Sequence, residues 1–154
     1  MINEPSIYIG IGMVLSLLLT ETLGVTAGGI IVPGYIAMNL DSPSRLIITF
    51  GISIITFLII KVLSNFILIY GKRRLVLALL LGFILGYFTR SENYILSGFM
   101  DMDFIVIGNI IPGLIANWMD RQGVIRTVFT VLITSGITKL FIMTLSVYQI
   151  INIQ

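Results

Sequence analysis

Two Pro-Gly pairs stand inside apolar stretches of this chain, each followed by an acid and at least one arginine. The first reads Gly29-Ile-Ile-Val-Pro33-Gly34-Tyr-Ile-Ala37-Met-Asn-Leu-Asp41, the second Gly108-Asn-Ile-Ile-Pro112-Gly113-Leu-Ile-Ala116-Asn-Trp-Met-Asp120. The offset is a constant 79 residues, and seven of the thirteen positions are identical. Proline lacks an N–H and glycine adds backbone entropy, so both are poor residues for a helix interior. Two readings are open. A helix broken here frees N–H groups and aims a positive helix end at an anion. Alternatively, a kink here lets two helices pack closely.

The charged residues around these pairs extend the first reading. Asp41 and Arg45 follow one motif; Asp120, Arg121 and Arg126 follow the other. Guanidinium groups hold carboxylates and phosphates bidentately, so Arg45, Arg121 and Arg126 are candidates for an anion path, against interfacial capping with snorkelling. Glu21 closes the first apolar stretch and needs water or a partner such as Arg121 or Arg126. Lys61 and Lys139 fall inside long apolar runs, where an ionisable residue is a functional candidate by default. Snorkelling is the alternative for Lys139, and Asn65 reads as an interhelical hydrogen-bond residue.

Other chemistries are absent. The chain has no Cys and no His, so it has no thiolate nucleophile, no Cys-ligated metal and none of the usual general base. Asp101-x-Asp103 is too sparse to hold a metal, and no P-loop, dinucleotide fingerprint or catalytic triad is visible. No catalytic residue and no metal ligand is assigned. A net charge of +2 is too small to point to nucleic acid.

The composition is that of an all-α integral membrane protein. Hydrophobic residues are 57% and charged residues 10%, with mean hydropathy +1.09, whereas soluble domains carry about 25% charged residues. The expected architecture is a small polytopic helical bundle, one membrane domain over residues 1–154, with an internal inverted repeat whose halves cover about 6–71 and 75–151. The N-terminus lacks a basic n-region, so the first apolar stretch is expected to remain as a helix.

Six apolar segments carry the candidate residues: Ser6 to Leu23, Val25 to Leu40, Leu46 to Gly71, Leu75 to Phe88, Phe104 to Met119 and Val124 to Ile151. A straight span needs about 20 residues, so the two Pro-Gly segments are short. They are either short buried helices or re-entrant loops, shielded by protein or lining a wet cavity. Gly24-x-x-x-Gly28 and Gly82-x-x-x-Gly86 match a close-packing pattern. The long polar connection is expected from Thr89 to Asp103.

Counting basic residues separates the topologies. If all six segments span, Lys72, Arg73, Arg74, Arg121 and Arg126 share one side and Arg45 and Arg90 the other, five against two. If both Pro-Gly segments are re-entrant, the split is three against four. The positive-inside rule prefers six spans, with both termini outside and the Lys-Arg-Arg loop in the cytoplasm. Four spans stay open, because the Pro-Gly segments are short.

Together these residues resemble a known family. Thr20-Glu21-x-x-Gly24, Gly29-x-x-Val32-Pro33-Gly34-Tyr35-x-Ala37 and Tyr70-Gly71-Lys72-Arg73-Arg74 are similar to the capsule C/PgsC family, the small membrane subunit of bacterial poly-γ-glutamate synthase. So are Ile111-Pro112-Gly113-Leu114-Ile115-Ala116-Asn117 and Arg121-Gln122-Gly123. The resemblance runs over nearly the whole chain, least at Thr89 to Asp103 and the last residues. It implies a multi-pass protein of the bacterial plasma membrane, in a complex that makes and exports poly-γ-glutamate. A cytoplasmic partner resembling the Mur-ligase-like amide ligases would carry the ATP and Mg chemistry, so no cofactor is expected in this chain. An extracellular-facing capsule subunit would complete export.

Three functional readings follow. The first is a subunit that anchors and activates the ligase and receives or conducts the polymer. Its anion-path candidates are Glu21, Pro33, Gly34, Arg45, Pro112, Gly113, Asn117, Arg121, Arg126 and Lys139; its ligase-docking candidates are Lys72, Arg73 and Arg74. The second is a purely structural scaffold, and the third an independent small-solute transporter, which inverted repeats also suit. A chain this small needs more than one copy to enclose a polymer path, so a homo-oligomer in the lipid bilayer is expected.

Overall fold

The computed structural model describes residues 5–66, 71–96 and 106–152. Six helices run through them: α1 (Pro5–Leu23), α2 (Val32–Met38), α3 (Pro43–Phe66), α4 (Lys72–Leu96), α5 (Ile111–Gln122) and α6 (Val124–Asn152). No strand occurs among the described residues. Pro5–Leu23, Pro43–Asn65 and Val124–Tyr148 are each long and apolar enough to cross a membrane. Outward-facing side chains such as Ile47, Val76, Ile125, Phe129 and Leu140 are more than half exposed, as a lipid-facing surface requires.

Local chemistry explains the two short helices. Pro33 and Pro112 stand in the first helical positions of α2 and α5. A proline there costs little, because its missing N–H would have no intrahelical acceptor and its fixed φ suits the helix. The Pro-Gly pairs therefore start helices rather than interrupt them. Before each lies non-helical chain, 24–31 and 106–110. Gly24, Gly28, Gly29 and Gly108 have positive φ there, a conformation that L side chains rarely adopt. Gly24 and Gly28 are thus turn residues and not a helix-packing pair. Gly82 and Gly86 do lie on one helix face, against the second Pro-Gly segment.

Several boundaries differ from the sequence expectation. Helix α4 starts at Lys72 and runs through Leu96, over the first part of the expected polar connection. Its basic first turn is helical, since straight-chain Lys and Arg are good helix formers. Asp101 and Asp103 lie outside the described residues. Asn65 is exposed and makes no hydrogen bond to a described residue.

The Pro-Gly segments traverse the bundle. Thr26 is tied to Gln122, which in turn bonds Thr127 at the start of α6, Gly28 meets Val131, and Asp41 pairs with Lys139. From Thr127 to Lys139 a helix rises about 18 Å, so the chain from Thr26 to Asp41 advances alongside α6. The second segment runs down α4: Val106 and Asn109 lie on Gly86, Gly113 on Gly82, and Asp120 pairs with Arg74. That descent is also about 18 Å.

Each crossing depends on glycine. A Cβ on Gly12 would stand 2.6 Å from the Gly34 nitrogen, and a Cβ on Gly82 would stand 2.5 Å from the Gly113 nitrogen. Reciprocally, a Cβ on Gly34 would meet the Ile9 backbone at 2.6 Å, and one on Gly113 the Ala78 carbonyl at 2.4 Å. Only backbone-to-backbone contact fits at both places.

The core sits between the short helices. Val32 and Ile36 of α2 pack with Ile107, with Ile111, Ile115 and Met119 of α5, and with Val131 of α6. Helix α2 lies against α1 and α6, while α5 lies against α4 and α3. The long helices α3 and α6 turn hydroxyls inward: Thr49, Ser53 and Thr56 on one, Thr127, Thr134, Ser135 and Thr138 on the other. Each donates to the carbonyl four residues back, so no hydroxyl proton is stranded in the apolar interior.

Candidate functional site

One end of the bundle collects positive charge. The Arg74 guanidinium pairs with Asp120 and so fastens the start of α4 to the end of α5. Lys72 and Arg73 precede it, both exposed, and Arg121 follows Asp120. Gly123, at φ 92°, then turns the chain straight into α6. Its N–H donates to the Met119 carbonyl and caps α5. Arg121 and Arg126, both exposed, flank a broad surface groove whose floor is this turn. The ligase-docking candidates and two anion-path candidates therefore share one end.

Arg121 is held from below. Its guanidinium lies over the Trp118 ring, 5.3 Å from the centroid, a cation–π contact that fixes the charge at the helix end. Lys61 lies over Phe57 at 5.7 Å, toward the C-terminal end of α3.

Gln122 was read only as part of a family motif, and the structure gives it a specific task. Its Oε1 accepts from the Thr26 N–H at 3.2 Å and from the Thr26 hydroxyl at 3.3 Å. Its Nε2 donates to the Thr26 carbonyl at 2.6 Å and to the Thr127 hydroxyl at 3.1 Å. The side-chain amide thus pairs with both backbone groups of one residue of non-helical chain. The second non-helical stretch has a simpler anchor, the Ile107 N–H donating to the Thr49 hydroxyl at 3.0 Å. Buried backbone groups outside a helix need such partners. Glycines clustered beside polar side chains in an apolar run are the signal that could have pointed to these anchors.

The other candidates are spread out. Lys139 is mostly buried in α6 and pairs with the exposed Asp41, about 22 Å along α6 from its basic start. Pro33, Gly34, Pro112, Gly113 and Asn117 are all buried. The amides of Gly34 and Gly113 face Gly12 and Gly82, so the helix starts are covered by α1 and α4. Arg45 is half-buried in the first turn of α3. Glu21 is exposed at the end of α1 and forms no ion pair with Arg121 or Arg126.

This basic end, with its Arg-Gln-Gly turn and paired Pro-Gly crossings, lies largely within residues 11–128, the stretch matched by the family described as Capsule biosynthesis CapC. The chain belongs to the CapC family. The "Capsule biosynthesis protein CapC" of Bacillus anthracis is 36% identical over 137 residues, covering 88% of this chain and 91% of that protein. The "PGA biosynthesis protein CapC" of Bacillus subtilis (strain 168) is 34% identical over 129 residues, covering 83% of this chain and 86% of that one. No solved structure matches. The CapC match begins inside α1 and ends in the first turn of α6, so it takes in both Pro-Gly crossings, Gln122 and all five basic residues of the clustered end.

Proposed function

We propose that this protein is the plasma-membrane subunit of a poly-γ-glutamate synthesis and export complex. It anchors and activates a cytoplasmic ATP- and Mg-dependent amide ligase and receives the growing polyanion. The observation that carries the reading is the ion pair of Arg74 with Asp120, which brings Lys72 and Arg73 to the same end as Arg121 and Arg126. Family membership and the capsule and PGA biosynthesis names of the relatives support it.

Six crossings, with that end cytoplasmic, fit the positive-inside rule. An inverted repeat is supported by the two glycine crossings and by the exchange of partners, α2 on α6 and α5 on α3. A polymer with one carboxylate per residue cannot cross lipid bare. Exposed arginines gather such a chain without trapping it, because weak multiple contacts favour release.

A scaffold role is the second reading, favoured by the covered starts of α2 and α5. Reconstitution separates the two. Inverted vesicles carrying this subunit, the ligase and the outer capsule subunit receive ATP and labelled glutamate. The conducting reading expects polymer in the lumen, and less of it when Arg121→Gln and Arg126→Gln are combined at unchanged complex yield. Polymer made in normal amount but left outside in every preparation means that the subunit anchors the ligase and nothing more.

A further inference from the structure

The groove at the turn between α5 and α6 has a volume of about 750 Å³. Between Arg121 and Arg126 it is lined by Gln122, Gly123, Val124 and Ile125. Both arginines are exposed, and no carboxylate among the described residues pairs with either. Asp120, beside Arg121 in the chain, is taken by Arg74. Two cations therefore face one groove without a counter-charge.

Apolar surface continues from the groove. Ile125 is 74% exposed, and Phe129, Leu132, Ile133 and Leu140 follow it, exposed on the same face of α6. From Ile125 to Leu140 this stripe rises about 22 Å. One leaflet supplies half of a hydrocarbon core about 30 Å thick, so the stripe is long enough to take an acyl chain. Trp118 marks the level of the groove. It lies partly buried beneath the Arg121 guanidinium, and tryptophan favours the depth of the lipid headgroups.

Cations at the mouth and a continuous apolar wall beside them are complementary to an amphiphile. A polycarboxylate would match the arginines but leave Ile125 and Phe129 without a partner. We propose that the groove binds an anionic phospholipid, its phosphodiester held by Arg121 and Arg126 and one acyl chain laid along the α6 stripe. Guanidinium groups grip phosphate oxygens through paired N–H donors. The proposal concerns the resting occupant of these arginines and does not depend on the polymer reading.

The test uses the full-length protein in phosphatidylcholine nanodiscs, with Trp118, the one tryptophan of the chain, as fluorescent reporter. Brominated acyl chains quench a tryptophan that they touch. A minor fraction of the lipid is brominated, either as phosphatidylglycerol or as phosphatidylcholine. Phosphatidylglycerol is expected to reach half-maximal quenching at about a tenth of the fraction that phosphatidylcholine needs, a preference within reach of two cations. Raised salt should narrow the gap. Arg121→Gln combined with Arg126→Gln should erase it, the two lipids being compared within each variant because Arg121 also touches the Trp118 ring. Arg121→Lys combined with Arg126→Lys keeps the charge, should retain most of the preference and controls for folding. Equal quenching by the two lipids in the unaltered protein overturns the proposal. So does a preference that survives both glutamine substitutions, since it then belongs to the basic end at large. A γ-linked glutamyl tetramer that changes Trp118 emission through Arg121 and Arg126, with no preference for phosphatidylglycerol, also overturns it and assigns the groove to the polymer.

Discussion

Four glycines carry steric demands that no other residue can meet. Gly12→Ala or Gly82→Ala drives a methyl into the backbone of the opposite crossing segment. Each should cost about 1–3 kcal/mol, typical of overpacking, read as a lowered unfolding midpoint in detergent. Gly10 and Gly136 are also helical glycines, yet nothing stands within 4 Å of a Cβ on either. Gly10→Ala and Gly136→Ala should therefore gain up to about 1 kcal/mol from helix propensity. Equal effects at the four positions would refute the assignment of the crossings. Gln122→Leu strands the Thr26 N–H and removes one of the two donors on its carbonyl, and should cost about 1–3 kcal/mol. Faster amide exchange at Thr26, ahead of any change at Ile107, is the accompanying signature.

At the scale of elements, the sequence separates what hydropathy dictates from what packing decides. Helix α1 and helix α6 fall within one residue of the apolar runs that announced them, because the runs are long and hold no proline. The Pro-Gly segments were legible as short and irregular. Their internal order was not: proline's tolerance at a helix start and its intolerance within one give the same dipeptide two readings. The glycines at 24, 28, 29 and 108 decide between them only once their φ values are known. The site was legible in part, since charge counting grouped Lys72, Arg73, Arg74, Arg121 and Arg126. Side-chain anchors such as Gln122 and Thr49 were not, because hydrogen bonds between residues 58 to 96 apart leave no periodic trace. If proline serves only to begin each helix, Pro33→Ala and Pro112→Ala should destabilise less than Gly34→Ala and Gly113→Ala. Thermal midpoints of the four purified variants give the ranking.

For the whole molecule, the partner exchange between halves makes a direct prediction. The first half supplies α3 to hold α5, and the second supplies α6 to hold α2. Residues 1–71 or 72–154 expressed alone should be degraded, and the two expressed together should accumulate and co-purify. Stable accumulation of either fragment by itself counts against the interlocked arrangement. Sidedness can be read directly, because a chain without cysteine accepts single probes. Cysteines placed at Arg73 and at Arg121 should react with an impermeant maleimide from the same face of the membrane, and one placed at Asp41 from the opposite face.

The anchors at Thr26 and Ile107 also limit how the molecule can move. A rocking motion that swung one half against the other would draw Thr26 away from Gln122 and Ile107 away from Thr49. The Thr26 and Ile107 N–H groups would then lose their partners in an apolar interior, where nothing replaces them. The two halves are therefore bolted into a single rigid block. Any conduit for a long chain must open along the outside of that block, against a neighbouring subunit, rather than through a cleft that alternates between the two faces.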